Sequence, residues 1–385
     1  MASSIPPQNE FSQGASGGEN HYARTGRAPV SADELLPPVE PPSAGFIIQL
    51  FVIPAVIVAA VVALWFGIET LARRGAQDPA QIVSALRSNN QARFQQAKEL
   101  ADMLRMPQRY PEMKASHDLA QRIAGYVDEL VEAGRPEDGE VTMRIFLVTA
   151  LGEFHVNDGL PSLVNAAMND QERDVRRRAI NAIAVLAGGM AGLKPPQPLG
   201  SDKMPDEQLA DALVALADDQ DELIRSETAF AIGVVAATPK ADPRLTEALV
   251  ALADDPYTDA RFNAAAGLAR LGNPAAPAAV AEMFSLESLE SSVSGEKALT
   301  PEVKSAALAA QKGFKRNMIL SSALKSTNAL LGVTSLPAAS FTPLEAALVK
   351  FLADLPKLKK SGPIPDELVD EAEETLVRVK ARAAG

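Results

Sequence analysis

The chain contains no cysteine, only three histidines, and just 5 % aromatic residues. Without cysteine there can be no disulfide, no thiolate zinc site and no cysteine nucleophile. His21, His117 and His155 are too few for a histidine-rich metal centre. Basic charge is also in deficit, with 37 Lys and Arg against 49 Asp and Glu, a net charge of -12. A surface of that sign does not neutralise phosphates, which excludes nucleic acid as the main partner. Scarce aromatics with abundant alanine and leucine point to packed helices rather than a β-sandwich. At 385 residues the chain has room for two ordinary domains or one long repeat array.

The first 45 residues hold seven prolines, six serines and five glycines, and their apolar residues follow no period. Such a stretch buries too little surface to offset its ordering entropy, and it is expected to be a disordered tail. It starts MASSIPPQNE and is acidic, unlike the basic start and short apolar core of a cleavable signal peptide.

Phe46 to Ile68 then runs FIIQLFVIPAVIVAAVVALWFGI, 23 residues without a charge. As a helix it reaches about 35 Å, enough for a hydrocarbon core of about 30 Å. Pro54 is tolerable in a membrane helix and is expected to bend it, and Trp65 and Phe66 stand where interfacial aromatics belong. A buried helix of a soluble domain would rarely stay uncharged on every face for so long. The sequence thus predicts a transmembrane helix over 46–71, meeting lipid through 46–68. Arg73, Arg74, Arg87 and Arg93 follow the span, while Asp33, Glu34 and Glu40 precede it, which places the C-terminal part in the cytoplasm.

Beyond Ala76 the text repeats. DGEVTMRIFLVTALG, DQERDVRRRAINAIA, DQDELIRSETAFAIG and DPYTDARFNAAAGLA each set an aspartate six residues before an arginine. The pairs are Asp138/Arg144, Asp170/Arg176, Asp219/Arg225 and Asp255/Arg261. Small or apolar residues follow each arginine at a helical spacing, as at Ala179, Ile180, Ala182 and Ile183. Upstream stand LPSLVNAAM, LADALVALADD and LTEALVALADD, the last two nearly identical. Each unit therefore reads as a helix, a short acidic turn and a second helix, with the Gly- and Pro-rich stretch 187–204 as a loop insertion. Weaker copies start at Ala92 and at Val303, the latter with Lys304 in the arginine position.

This pattern resembles the HEAT-repeat family, including its phycobilin-lyase-type HEAT-like members. The resemblance rests on the turn aspartate, the pairs Val175-Arg176, Ile224-Arg225 and Ala260-Arg261, and the Ala/Gly-rich second helix. It implies a right-handed stack of antiparallel helix pairs in which turn aspartates and following arginines bond between neighbouring repeats. It also implies that the second helices line the concave side. Asn181, Glu227 and Asn263, outside the apolar stripe, are then expected to face a partner along that groove. On physical grounds, each unit leaves an apolar face that only stacking covers. A carboxylate also suits the orphan amides at a helix start. A ligand site is needed once and a structural ladder once per repeat, so the eight recurring charges read as a ladder.

No constellation for catalysis stands out. His-Glu dipeptides of the kind that hold iron in one HEAT-like enzyme group are missing, as are GxxxxGK, GxSxG and HExxH. His155 lies near Glu153 without further ligands and reads as a loop residue. Lys304, Lys312, Lys315, Arg316 and Lys325 fall in a stretch (303–344) without an acid, a basic face open to acidic partners or lipid headgroups or simply to solvent. The last residues, PDELVDEAEETLVRVKARAAG, carry the apolar stripe Leu368, Ala372, Leu376 and Val379 and predict a capping or partner-binding helix.

The expected architecture is all-α. It comprises the tail 1–45, the transmembrane helix 46–71, a HEAT-like α-solenoid over 76–320 and C-terminal helices over 321–385. The expected role is a single-pass membrane-anchored scaffold that binds a protein partner, without catalysis or cofactor. The competing role is a lyase-type enzyme or enzyme accessory of the phycobilin kind.

Overall fold

The uncharged run is helical throughout its described residues. The computed structural model describes residues 43–74, 79–88, 92–106, 111–134, 140–295 and 305–385. Most of the expected tail, with His21, lies outside them, as do Asp138 and Lys304. The chain divides into two units, Met1–Ala76 and Gln77–Gly385. In the first, a short turn α1 (Ala44–Ile47) leads through five residues of wider π-helical backbone (Ile48–Val52) into α2 (Ile53–Arg74). The π segment ends just before Pro54, whose missing N–H and bulky ring break the regular α-helical ladder; the wider turn absorbs both. Ile48–Gly67 is one helix long and apolar enough to cross a membrane, with none of it buried in the protein.

In the second unit every regular element among the described residues is helical, and the only β feature is an isolated bridge between Ser201 and Met204. Two nearly identical runs show why. Leu209, Leu213 and Leu216 form one buried stripe on α10 (Asp206–Ala217), and Leu245, Leu249 and Leu252 form its counterpart on α12 (Arg244–Leu252). The four- and three-residue spacing keeps each stripe on one helical face. Withdrawing such a leucine from water contributes about 1.5–3 kcal/mol.

The remaining helices pair in the same way. They are α3 (Pro79–Leu86) with α4 (Ala92–Leu104), and, after the short α5 (Pro111–Lys114), α6 (His117–Glu132) with α7 (Glu140–Gly152). Then come α8 (Leu160–Asn169) with α9 (Arg173–Ala191), α10 with α11 (Glu222–Val235), and α12 with α13 (Thr258–Arg270). The second members, α4, α7, α9, α11 and α13, pack side by side in chain order, and the first members α6, α8, α10 and α12 do the same. One close approach in the second row is between glycines. A Cβ on Gly233 would come within 2.7 Å of the Gly267 Cα, so α11 and α13 touch backbone to backbone.

After α13 the pairing changes. α14 (Ala276–Glu282) and α15 (Leu286–Ser294) are short, and α16 (Ser305–Leu331) is a single long helix packed against α13, α14 and α15. The expected boundary at 320/321 therefore falls inside a helix. No proline interrupts the chain between Pro301 and Pro337, so nothing stops α16 there. α17 (Thr342–Leu358) and α18 (Asp366–Ala383) close the unit, and α18 packs on both α16 and α17. As its sequence predicts, α18 begins with Asp366 and Glu367 and ends with Lys380 and Arg382, in line with the helix dipole.

Candidate functional site

The recurring turn charges meet across neighbouring helix pairs. Arg144 Nη1 donates to Asp170 Oδ2 at 3.0 Å, Arg176 Nη2 to Asp219 Oδ2 at 2.5 Å, and Arg225 Nε to Asp255 Oδ2 at 2.7 Å. Each arginine, at the start of one second helix, thus reaches the turn of the next pair. A further donor goes to a backbone oxygen close to its own turn. Arg144 reaches the Gly134 carbonyl, Arg176 that of Ala167, Arg225 that of Asp219 and Arg261 that of Asp255. The second carboxylate oxygen of each aspartate accepts the amide two residues on, from Glu172, Asp221 and Tyr257. Those are the residues that cap α9, α11 and α13, so one carboxylate ties a helix start to the preceding repeat.

The fourth arginine finds a different acid. Arg261 bonds Glu282, at the end of α14, through Nε at 3.0 Å and Nη2 at 2.7 Å. Electrostatics follow the geometry. Burial pushes the Asp219 carboxyl up, but the Asp221 amide, Arg176 and Arg225 together bring it below the usual carboxylate range. Asp255 is lowered likewise, with Arg225 and the Tyr257 amide outweighing burial. Arg225 and Arg261 are raised in turn by their bonds to Asp255 and Glu282.

The residues expected to face a partner are less free than their spacing implies. Glu227 accepts from Arg177 at 2.8 Å, linking α11 to α9, and Asn263 donates to the Ser226 carbonyl at 2.9 Å, linking α13 to α11. Both are half-buried because neighbouring second helices lie close enough for side chains to bridge them. Asn181 shares a polar cavity of about 340 Å³ with Ile145, Asp174, Arg177, Arg178 and Glu227. Val185 and Phe230, on the same two helices, are the exposed apolar residues nearby in sequence.

The basic face of the C-terminal segment is partly internal. Lys315 bonds Asp259 and the Ser292 carbonyl, and Arg316 is buried, donating to the carbonyls of Leu358 and Gly362. A positive group at the end of α17 suits its orphan carbonyls, a pairing of distant segments that charge counting along the chain misses. The loop residue His155 is half-buried, which lowers its pKa, and nearby Lys114 lowers it further. Glu153 beside it is occupied by Arg105 and Lys114.

A cavity of about 640 Å³ lies between the turns of the α10/α11 and α12/α13 pairs. Its apolar lining includes Val214, Ala248 and Leu252, and its polar lining includes Asp218, Asp254 and Arg225.

No family model matches this sequence, and no curated protein does. Among solved structures, the chain is similar to two crystal structures of engineered proteins from the Northeast Structural Genomics Consortium. The first is 18% identical with a TM-score of 0.33, covering 80% of this chain and 98% of that one. The second is 20% identical with a TM-score of 0.34, covering 78% of this chain and 67% of that one.

Proposed function

We propose that the chain is a single-pass membrane-anchored HEAT-repeat scaffold, an α-solenoid that binds a protein partner and carries out no catalysis of its own. The observation that carries the repeat reading is one arginine-to-aspartate bond made three times in succession between adjacent helix pairs. A reacting group is needed once, whereas a bond recurring with each unit serves stacking. Stacked units leave long exposed rows of helices, the kind of surface on which such arrays bind proteins.

The anchor reading rests on Ile48–Gly67, with a mean hydropathy of 2.6. In water so large an apolar surface would be an aggregation liability, and a bilayer covers it. Arg73 and Arg74 after the span favour a cytoplasmic C-terminal unit. Protease added outside spheroplasts is then expected to remove the tail before Phe46 and spare the chain after Arg74; digestion of the C-terminal unit reverses the orientation.

The scaffold reading is tested by a photoreactive amino acid placed in turn at exposed positions of both helix rows in living cells. Val185 and Phe230 sample the second helices, Val214 and Val250 the first. A discrete cross-linked protein from at least one row is the expected result. Cross-links only to lipid or to the chain itself, from all four positions, would overturn the reading.

A further inference from the structure

Two turn carboxylates stand outside the ladder of arginine bonds. In LADALVALADD and LTEALVALADD the second closing aspartate, Asp219 or Asp255, is the one bonded to an arginine. The first, Asp218 or Asp254, is exposed and has no ion pair or side-chain hydrogen bond among the described residues. In the preceding α8/α9 turn the same position is Asn169, bonded to Asn165. An exposed carboxylate in a turn is ordinary by itself. What distinguishes these two is their setting, because both line the 640 Å³ cavity between the first helices.

That cavity has two unlike sides. Val214, Ala217, Ala248, Ala251 and Leu252 supply an apolar lining. The polar side holds Asp218, Asp219, Asp254, Asp255 and Arg225; Arg225 is committed to Asp255 and to the carbonyls of Asp219 and Gln220, and Asp219 is paired with Arg176. Among the described residues, the carboxylates left without an ion pair beside this apolar wall are Asp218 and Asp254, the latter in the field of Arg261. Two aliphatic side chains in equivalent positions, Val214 and Val250, are 37% and 41% exposed on adjacent first helices.

We propose that this groove docks a segment of a protein partner in which lysine or arginine stands next to aliphatic side chains. The inference rests on the scaffold reading and gives that reading a partner chemistry. The aliphatic side chains leave water against Val214, Ala248 and Ala251, and the cations meet Asp218 and Asp254. Apolar burial supplies the attraction, and the carboxylates select the sign of the partner and steer its approach. An acidic segment or a nucleic acid meets repulsion instead. A bare divalent cation, which needs six to eight oxygen ligands as calcium, gains nothing from an apolar wall.

The test uses the full chain in non-ionic detergent and the fluorescence anisotropy of a dye-labelled peptide of about twelve residues built from Leu, Lys and Ala. Two companion peptides replace every Lys by Glu or every Leu by Ser. Saturable binding of the first peptide is expected, weakened roughly tenfold or more by either replacement. Asp218→Asn combined with Asp254→Asn is expected to weaken it roughly tenfold as well. Glu373→Gln with Glu374→Gln removes as much charge from exposed positions of α18 and is expected to change binding by less than about twofold. Equal weakening by the two double variants reveals unspecific attraction to an acidic protein and overturns the proposal. So does binding that ignores Asp218 and Asp254, or no binding at all. Cross-links obtained only from Val185 and Phe230 would sink this groove while leaving the scaffold reading standing.

Discussion

The first and last arginines of the series occupy the same frame and live in different media. Arg144 and Asp170 have side chains only 1% and 0% exposed, whereas Arg261 and Glu282 are 21% and 32% exposed. The bonds are alike, at 3.0 and 2.7 Å. The energetic consequence of cutting them is not. A charge that loses its partner in the interior cannot be solvated, while one near the surface takes up water in exchange. A repeated motif therefore specifies which atoms meet, and the packing around each copy decides how much that meeting contributes. Even the buried pair is incomplete, since the Arg144 Nε has no partner.

The sharpest way to break this contrast is Arg144→Ala or Asp170→Ala. Each is expected to destabilise the second unit by about 3–5 kcal/mol, read as a lowered denaturation midpoint. A loss below about 1 kcal/mol would mean that water reaches the surviving charge. Arg176→Ala and Arg225→Ala, in the middle of the series, should cost about 1–3 kcal/mol each. Unchanged melting temperature in both would place those arginines with the surface residues. Arg261→Ala, with a side chain as exposed as that of Arg176 but a more exposed acid partner, should cost no more than about 1–2 kcal/mol, and a loss as large as that of Arg144→Ala would erase the distinction between the two ends.

Acid offers the mildest probe. The folded-state pKa values of Asp219 and Asp255 are depressed, so their contribution is fully present above the unfolded carboxylate value near about 4 and is lost as pH falls through the lower folded values. Between neutrality and about pH 5 these two groups should leave stability flat. Below that range the acid loss should be shallower in Asp219→Asn than in the parent chain. Identical slopes would show that the carboxylate is not held in its charged form by the fold.

Much of this was legible because it is local and repeated. Leucine spacing in the two LVALADD runs placed α10 and α12, and the turn aspartates marked the starts of α9, α11 and α13. That the side-chain bonds run between repeats was implied by resemblance to HEAT arrays, since an aspartate six residues before an arginine points equally well to a bond within one unit. Glu282 was invisible, because it closes the series from the end of the short α14 and aligns with no turn aspartate. Arg316 was misread as surface charge, because its acceptors lie more than forty residues away. Helical period identified the face on which Glu227 and Asn263 stand, but not the distance to the next helix, and that distance turned them into bridges.

Glu282 also gives the series of bonds a terminus in the sense that a polymer has one. The α8/α9 and α10/α11 pairs each offer an arginine forward and receive one from behind, so the series has a direction and two unlike ends. A directional contact of this sort has no built-in closure, and an unsatisfied forward end could accept the turn of another copy and continue as a fibre. Arg261 is the forward end here, and Glu282 from the very next helix occupies it. The chain carries its own terminator, which lets it stop adding units without leaving a donor that another molecule could use.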